Sequence, residues 1–205
     1  MGLDKIDAPV VLLVEGADDE DVVNLLLDEI QPDWRQQIDV QLVSNQGGHL
    51  ARLNALATVS GFLNRVKKVA ILEDSDETPE KKQALWVDES QAFTQRYPGI
   101  ELVFCLLPSP SKKGALESLF LQSIKPASPN FACVQTFADC VERHTPHTTQ
   151  AQRDKLALIS YVNSHVSGPY SRIGVAIEQD AKTLFDLKHA AFKPLVEFSE
   201  SLAHV

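Results

Sequence analysis

Cysteine, positive charge and long apolar runs are all scarce in this chain. Its 205 residues hold three cysteines, Cys105, Cys133 and Cys140, an odd number that makes no disulfide framework, so a reducing, cytoplasmic setting is expected. No apolar run approaches the roughly 20 residues that cross a bilayer, so no membrane partner is expected. The opening MGLDKIDAP has no basic stretch followed by an apolar one, and no secretory leader is expected either. Lys and Arg number 19 against 28 Asp and Glu, a net charge of −9. That deficit weighs against a surface coated with phosphate-neutralising groups, although a local basic site is still compatible with it. G-x-G-x-x-G follows no strand, which leaves dinucleotide binding without support.

What is present is ordinary globular composition, 44% hydrophobic and 23% charged, in a length suited to one domain or a core with a modest appendage. PVVLLVEG (9–16) reads as a buried strand, continuous in apolar residues as parallel strands are. DDEDVVNLLLDEI follows with Val22, Val23, Leu26, Leu27 and Ile30 on one helical face and acids in its first turn. IDVQLV (38–43) predicts a second strand, SNQGG a turn, and HLARLNALATVSGFLNRV (49–66) one helix striped by Leu50, Leu53, Leu56 and Val59. KVAIL (68–72) predicts strand three, PEKKQALWVDESQAFTQRY (79–97) a helix opened by Pro79, IELVFCLL (100–107) strand four and GALESLFLQSI (114–124) a short helix. Such alternation predicts an α/β fold: a four-stranded, mainly parallel sheet with helices on both faces. After KPASPN (125–130) the pattern turns helical, in FADCVERH, QAQRDKLALISYVNSH and HAAFKPLVEFSESLAHV. The expected organisation is therefore an α/β core over 1–125 and a helical extension over 126–205, packed on the core.

Strand three runs straight into acids: Glu73, Asp74, Asp76 and Glu77. In open α/β sheets, ligands bind beyond the carboxyl ends of strands near a topological switch point. Glu15 ends strand one, and two neighbouring parallel strands would bring it to the same edge as Asp74 and Asp76. Carboxylates so grouped repel one another unless a hard cation neutralises them, and Mg²⁺ suits one or two carboxylates plus a phosphate. The competing reading is that these acids solvate loops; for the pair together with Glu15, the metal reading is preferred. Asp74 and Asp76 alternate, so both face one side if the strand persists, while Glu73 and Glu77 are expected to face elsewhere. Asp18 and Asp19 fit helix capping better than ligation.

VVLLVEGADDEDVVNLLL, the Gly-containing turn NQGGHLARL and KKVAILEDSDE together resemble the TOPRIM domain of topoisomerases, bacterial primases, overcoming-lysogenisation-defect nucleases and the ribonuclease that matures 5S ribosomal RNA. The marks are a Glu in EG after strand one and Asp-x-Asp after strand three. LPSPSKKGALESLFL and FDLKHAAFKPLVEFSESL are also similar to later segments of a small bacterial TOPRIM-like family of unknown function. The resemblance implies a TOPRIM-like Rossmannoid fold in which Asp74 and Asp76 bind Mg²⁺, with Mn²⁺ as a substitute. Glu15 would be a further ligand or the general acid/base of phosphodiester chemistry on a nucleic acid, DNA or RNA. Gly16 permits a sharp turn and close approach of a phosphate. Lys112 and Lys113 beside a Gly-led helix start offer a phosphate seat, and Glu117 on that helix could serve a second metal. The competing readings are an exposed loop for the lysines and a solvated helix residue for Glu117.

Thr78 stands where many topoisomerases carry a third acid, and no strand-passage, zinc-binding primase or ATPase module is recognisable, so a topoisomerase or full primase is not expected. The simplest activity is then a nuclease. The alternative is a non-catalytic regulatory module that binds a nucleotide or a partner, a second copy of the chain or another protein. A lesser alternative is a haloacid-dehalogenase-like phosphatase, since Asp74 to Thr78 fits Asp-x-Asp-x-Thr. That reading leaves Glu15 unexplained and finds only a weak later acidic echo in VAIEQD (175–180). Cys133, Cys140, His144 and His147 lack a Cys-x-x-Cys knuckle and read better as packing and surface residues than as zinc ligands. His49 reads as a helix-start residue without a role.

Overall fold

The computed structural model describes residues 6–30, 32–42, 53–59, 61–76, 78–125, 128–145, 147–165, 174, 177 and 183–203. Strand β1 (Val10–Val14) leads into helix α1 (Ala17–Ile30), a 3₁₀ turn (Pro32–Gln36) and β2 (Ile38–Leu42). Helix α2 (Phe62–Arg65) precedes β3 (Lys68–Asp74), followed by α3 (Pro79–Arg96), β4 (Glu101–Leu107) and α4 (Leu116–Gln122). Helices α5 (Pro129–His144) and α6 (Gln150–Asn163), a 3₁₀ turn (Ala190–Phe192) and α7 (Lys193–Ala203) follow.

The four strands form one sheet in the order β2-β1-β3-β4, and every pairing is parallel. Parallel strands need crossovers that cover the faces, and here both faces of the central strands are buried. Val10, Leu12, Val14, Ala70 and Leu72 share one apolar cluster with α1, α4 and residues of all three C-terminal helices. Val11, Leu13, Val69 and Ile71 point the other way, onto Leu53, Leu56, Phe62, Trp86 and Phe93. This is the α/β arrangement expected from the sequence, a four-stranded parallel sheet with helices on both faces. Fully burying each such side chain contributes about 1.5–3 kcal/mol, so the two clusters hold the strand ends in place.

The helix expected over 49–66 is interrupted. A helical turn at 53–56 closes with i→i−3 bonds, Thr58 N to Ala55 O at 3.1 Å and Val59 N to Leu56 O at 2.9 Å. Gly61 then takes a left-handed conformation, φ 88°, before α2 begins. A Cβ there would lie 3.2 Å from the Ile6 carbonyl, so the break suits glycine. Leu53 and Leu56 still pack inward, because their stripe depends on local period and not on helix length. Helix α5 starts at Pro129, eight residues before the FADCVERH stretch, with proline in its first turn, where the missing N–H costs nothing. His49, Leu50, the 44–48 turn, Glu77 and the 175–176 and 178–180 part of VAIEQD lie outside the described residues.

Cys105 lies in β4, and burial pushes its thiol up to about 12, so it packs as a small apolar side chain. Cys133 and Cys140 are exposed on α5, and none of the three is paired. No described helix is long and apolar enough to cross a membrane.

Candidate metal centre

The chain leaves β1 toward β2 on one side and returns across it to β3 on the other, so the switch point lies between β1 and β3. Register pairs Leu13 with Ile71; Glu15 and Asp74 therefore leave neighbouring strands at the same sheet edge. A cleft of about 490 Å³ opens there, lined by Glu15, Gly16, Ala17, Asp18, Asp19, Asp74, Glu117 and Lys155.

Local contacts hold Asp18, Asp19, Asp74 and Glu117. Asp19, in the first turn of α1, reaches back to accept from Gly16 N at 2.8 Å, half of a capping box. Capping and cleft lining thus coincide in this residue. Asp18 Oδ1 accepts from Gly174 N at 3.1 Å. Asp74 Oδ1 accepts from Leu116 N at 2.9 Å, which ties the end of β3 to the start of α4. Glu117, in the first turn of α4, is buried, with Lys155 Nζ of α6 at 3.8 Å.

Burial raises the Asp74 carboxyl well above the usual carboxylate range; Asp19 and Glu117 push it further, the Leu116 N–H draws it back and Glu15 adds to the rise. Burial likewise raises Asp19, against the Gly16 N–H and Lys155. Burial also raises Glu117, against its own N–H and Lys155, with Asp19 and Asp18 pushing it upward. Carboxyls raised by desolvation and by one another lack sufficient positive charge. Oxygen donors in that condition suit a hard divalent cation such as Mg²⁺, which needs only one or two carboxylates and keeps several waters. Among the described residues, no group of three or more His, Cys, Asp and Glu side chains stands ready to hold a metal ion. Glu15, Asp74 and Glu117 share the lining of one cleft, and their oxygens are the donor type a hard cation takes.

Asp76 does not line the cleft. Its backbone forms a bridge with Gly114, N to O at 2.9 Å and back at 3.1 Å, at a positive φ of 49°. Its carboxylate accepts from Lys82 Nζ at 2.7 Å. The alternation that predicted Asp74 and Asp76 on one side assumed a continuing strand, whereas β3 ends at Asp74 and the chain turns. Glu73 faces elsewhere, as expected: it is buried, with Lys82 Nζ at 3.0 Å and Trp86 Nε1 donating at 2.5 Å. Burial works against the Lys82 charge, but hydrogen bonds to Asp76 and Glu73 outweigh it and raise the ammonium's pKa.

Lys112 and Lys113 are exposed in the loop between β4 and α4, outside the cleft lining. That loop is stapled to the acidic turn: Ser75 Oγ donates to the Lys112 carbonyl at 2.5 Å. Gly114, at φ 138°, would be strained as any larger residue, and a Cβ there would lie 2.5 Å from Ser118 Oγ. Two residues escaped the sequence reading: Lys155 comes from a helix 81 positions beyond Asp74, and Lys82 sits in the first turn of α3 without any motif. Asp18 and Asp19, weaker candidates set behind capping, both line the cleft.

A model of the family described as protein of unknown function (DUF3226) matches residues 9–204. The chain belongs to this family. The DUF3226 match takes in β1 through α7, and with them every residue lining the cleft. No curated protein matches the sequence. Among solved structures, the chain is similar to the C-terminal region of the Burkholderia pseudomallei OLD protein, at 15% identity and a TM-score of 0.38, over 97% of this chain and 100% of that one.

Proposed function

We propose that this DUF3226 protein carries out Mg²⁺-dependent phosphodiester chemistry on a nucleic acid, most simply as a nuclease. The observation that supports this reading is the cleft at the β1/β3 switch point, lined by Glu15, Asp18, Asp19, Asp74 and Glu117 with the one cation Lys155 among its lining residues. Asp74 would hold the cation from the end of β3, with Asp76 as a second carboxylate. Glu15, across the sheet edge, acts as a further ligand or as the acid/base that moves a proton at the attacking or leaving oxygen. A bound Mg²⁺ supplies positive charge to the phosphoryl group and lowers the pKa of a water it holds. Glu117 borders the same cleft and is placed to serve a second cation. Lys155 offers an ammonium to a non-bridging phosphate oxygen, while Lys112 and Lys113 meet flanking phosphates from their exposed loop. Gly16, which has no side chain and donates its N–H to Asp19, is where a phosphate would approach.

The test is cleavage of single- and double-stranded DNA and RNA in Mg²⁺ or Mn²⁺, together with calorimetric Mn²⁺ titration. Glu15→Gln and Asp74→Ala are expected to lower the cleavage rate by about 100-fold or more, the scale of a lost acid/base or charge-stabilising group. If both variants leave cleavage and Mn²⁺ affinity untouched, the reading is wrong. A regulatory module that binds a nucleotide or partner is the second reading, favoured by the acidic balance of a cleft with four acids besides Glu15 and a single lysine among its lining residues. Nucleotide or partner binding without Asp74-dependent metal binding would select it. Asp74-dependent hydrolysis of small phosphomonoesters would instead select a phosphatase.

A further inference from the structure

Asp76 stands apart from the acids that sequence groups it with. The carboxylates that press on Asp74 are Asp19, Glu117 and Glu15, and Asp76 is absent from the cleft lining. Its carboxylate is engaged instead by Lys82, whose ammonium is placed by three oxygens at the end of β3. These are Asp76 Oδ2 at 2.7 Å, the Asp74 carbonyl at 2.6 Å and the buried Glu73 carboxylate at 3.0 Å. Trp86, one turn further along α3, fixes the other oxygen of Glu73. The backbone beneath Asp76 is equally well held, by the Gly114 bridge and by Ser75 N donating to the Leu107 carbonyl at 2.8 Å. Movement of the Asp76 carboxylate is thereby confined to its own side-chain torsions.

We propose that Lys82 is a positioning residue that holds the Asp76 carboxylate outside the cleft until a divalent cation enters, when Asp76 exchanges the ammonium for the cation. The proposal rests on the reading of the cleft as a metal centre. Without a cation, another carboxylate among Glu15, Asp19, Asp74 and Glu117 would add like-charge repulsion in a partly desolvated space. Lys82 relieves that crowding by neutralising one acid at the rim. The incoming cation must then compete with this ion pair, which lowers its apparent affinity.

Calorimetric Mn²⁺ titration tests this without reference to activity. Lys82→Met alone would leave Glu73 buried without its cation, so the informative variant pairs it with Glu73→Gln, whose amide oxygen can still accept from Trp86. Far-UV circular dichroism and a thermal melt check that the pair folds. The paired variant is expected to bind Mn²⁺ about two- to fivefold more tightly, which is what an ion pair with a half-exposed partner is worth. The gain is expected to vanish in an Asp76→Asn background, where no charge is left to release; asparagine tolerates the positive φ. Unchanged or weaker affinity, or an equal gain with Asp76→Asn, overturns the proposal. If parent binding persists and depends on Asp74 while ignoring the Lys82 exchange, this inference alone falls. Absence of any Asp74-dependent binding overturns the metal reading and this inference with it.

Discussion

Asp74 combines burial, three acidic neighbours and a single backbone N–H donor. Its carboxyl is raised above the ordinary 3.8, so between 3.8 and the raised value the folded protein binds more protons than the unfolded chain. Stability from this group is therefore full below 3.8 and lost as pH rises through the folded value, leaving the charged form as a standing cost at neutral pH. Asp74→Asn keeps an oxygen for the Leu116 N–H and removes that cost. In chelator at pH 7 the variant is expected to melt at a higher temperature than the parent. The advantage should fade as the buffer approaches pH 4. A melt series showing equal or lower stability at neutral pH would remove the argument that the cleft is short of positive charge. Such a gain in stability at the expense of a site is the usual relation between strained functional groups and fold.

At the scale of elements, the acidic turn is held from two sides. Helix α3 contributes Lys82 and Trp86 beneath it, and the loop before α4 contributes Lys112 O and Gly114 above it. Trp86 also stacks on Phe104 of β4, centroids 6.3 Å apart, so the indole packs and donates at once. Trp86→Phe retains most of the apolar surface but leaves the buried Glu73 carboxylate without its N–H donor. The expected loss is about 1.5–3 kcal/mol, the worth of a hydrogen bond to a charged group, read from urea unfolding. Restoration of stability by adding Glu73→Leu would confirm the missing donor as the cause; a Trp86→Phe variant as stable as the parent would refute it. The interruption at Gly61 is the counterpart on the other face. Leucine spacing was legible there, but a glycine whose Cβ site faces the Ile6 carbonyl ends the helical run.

Over the whole molecule, Leu119 and Phe120 of α4 pack in one cluster with Leu158, Tyr161, Phe185, Phe192 and Leu195, all contributed from beyond residue 126. Phe120 meets Phe185 and Phe192 edge-on at 5.1 and 5.0 Å. We take 1–125 and 126–205 as segments that share a core. A chain ending at Lys125 is expected to bind the apolar dye ANS strongly and to lose its cooperative melt, because one sheet face would be left open. A cooperative melt with parent-like solubility would instead make 1–125 independent. The same truncation removes Lys155 from the cleft.

The sequence by itself determined the strands, most helices and the sheet edge where the acids gather. Those features follow from local period and from the rule that parallel α/β sheets place ligands at strand ends. Glu15 and Asp74 were therefore legible as candidates before any contact was known, and Glu117 from its place on the Gly-led helix after strand four. Tertiary structure alone decided which carboxylates share the cleft and which cations answer them. Asp19 serves cap and cleft together, Lys155 arrives from a distant helix, and Asp76 is turned onto Lys82. Their placement depends on where the chain turns after Asp74 and on how α3, α4 and α6 pack, quantities that no residue spacing encodes.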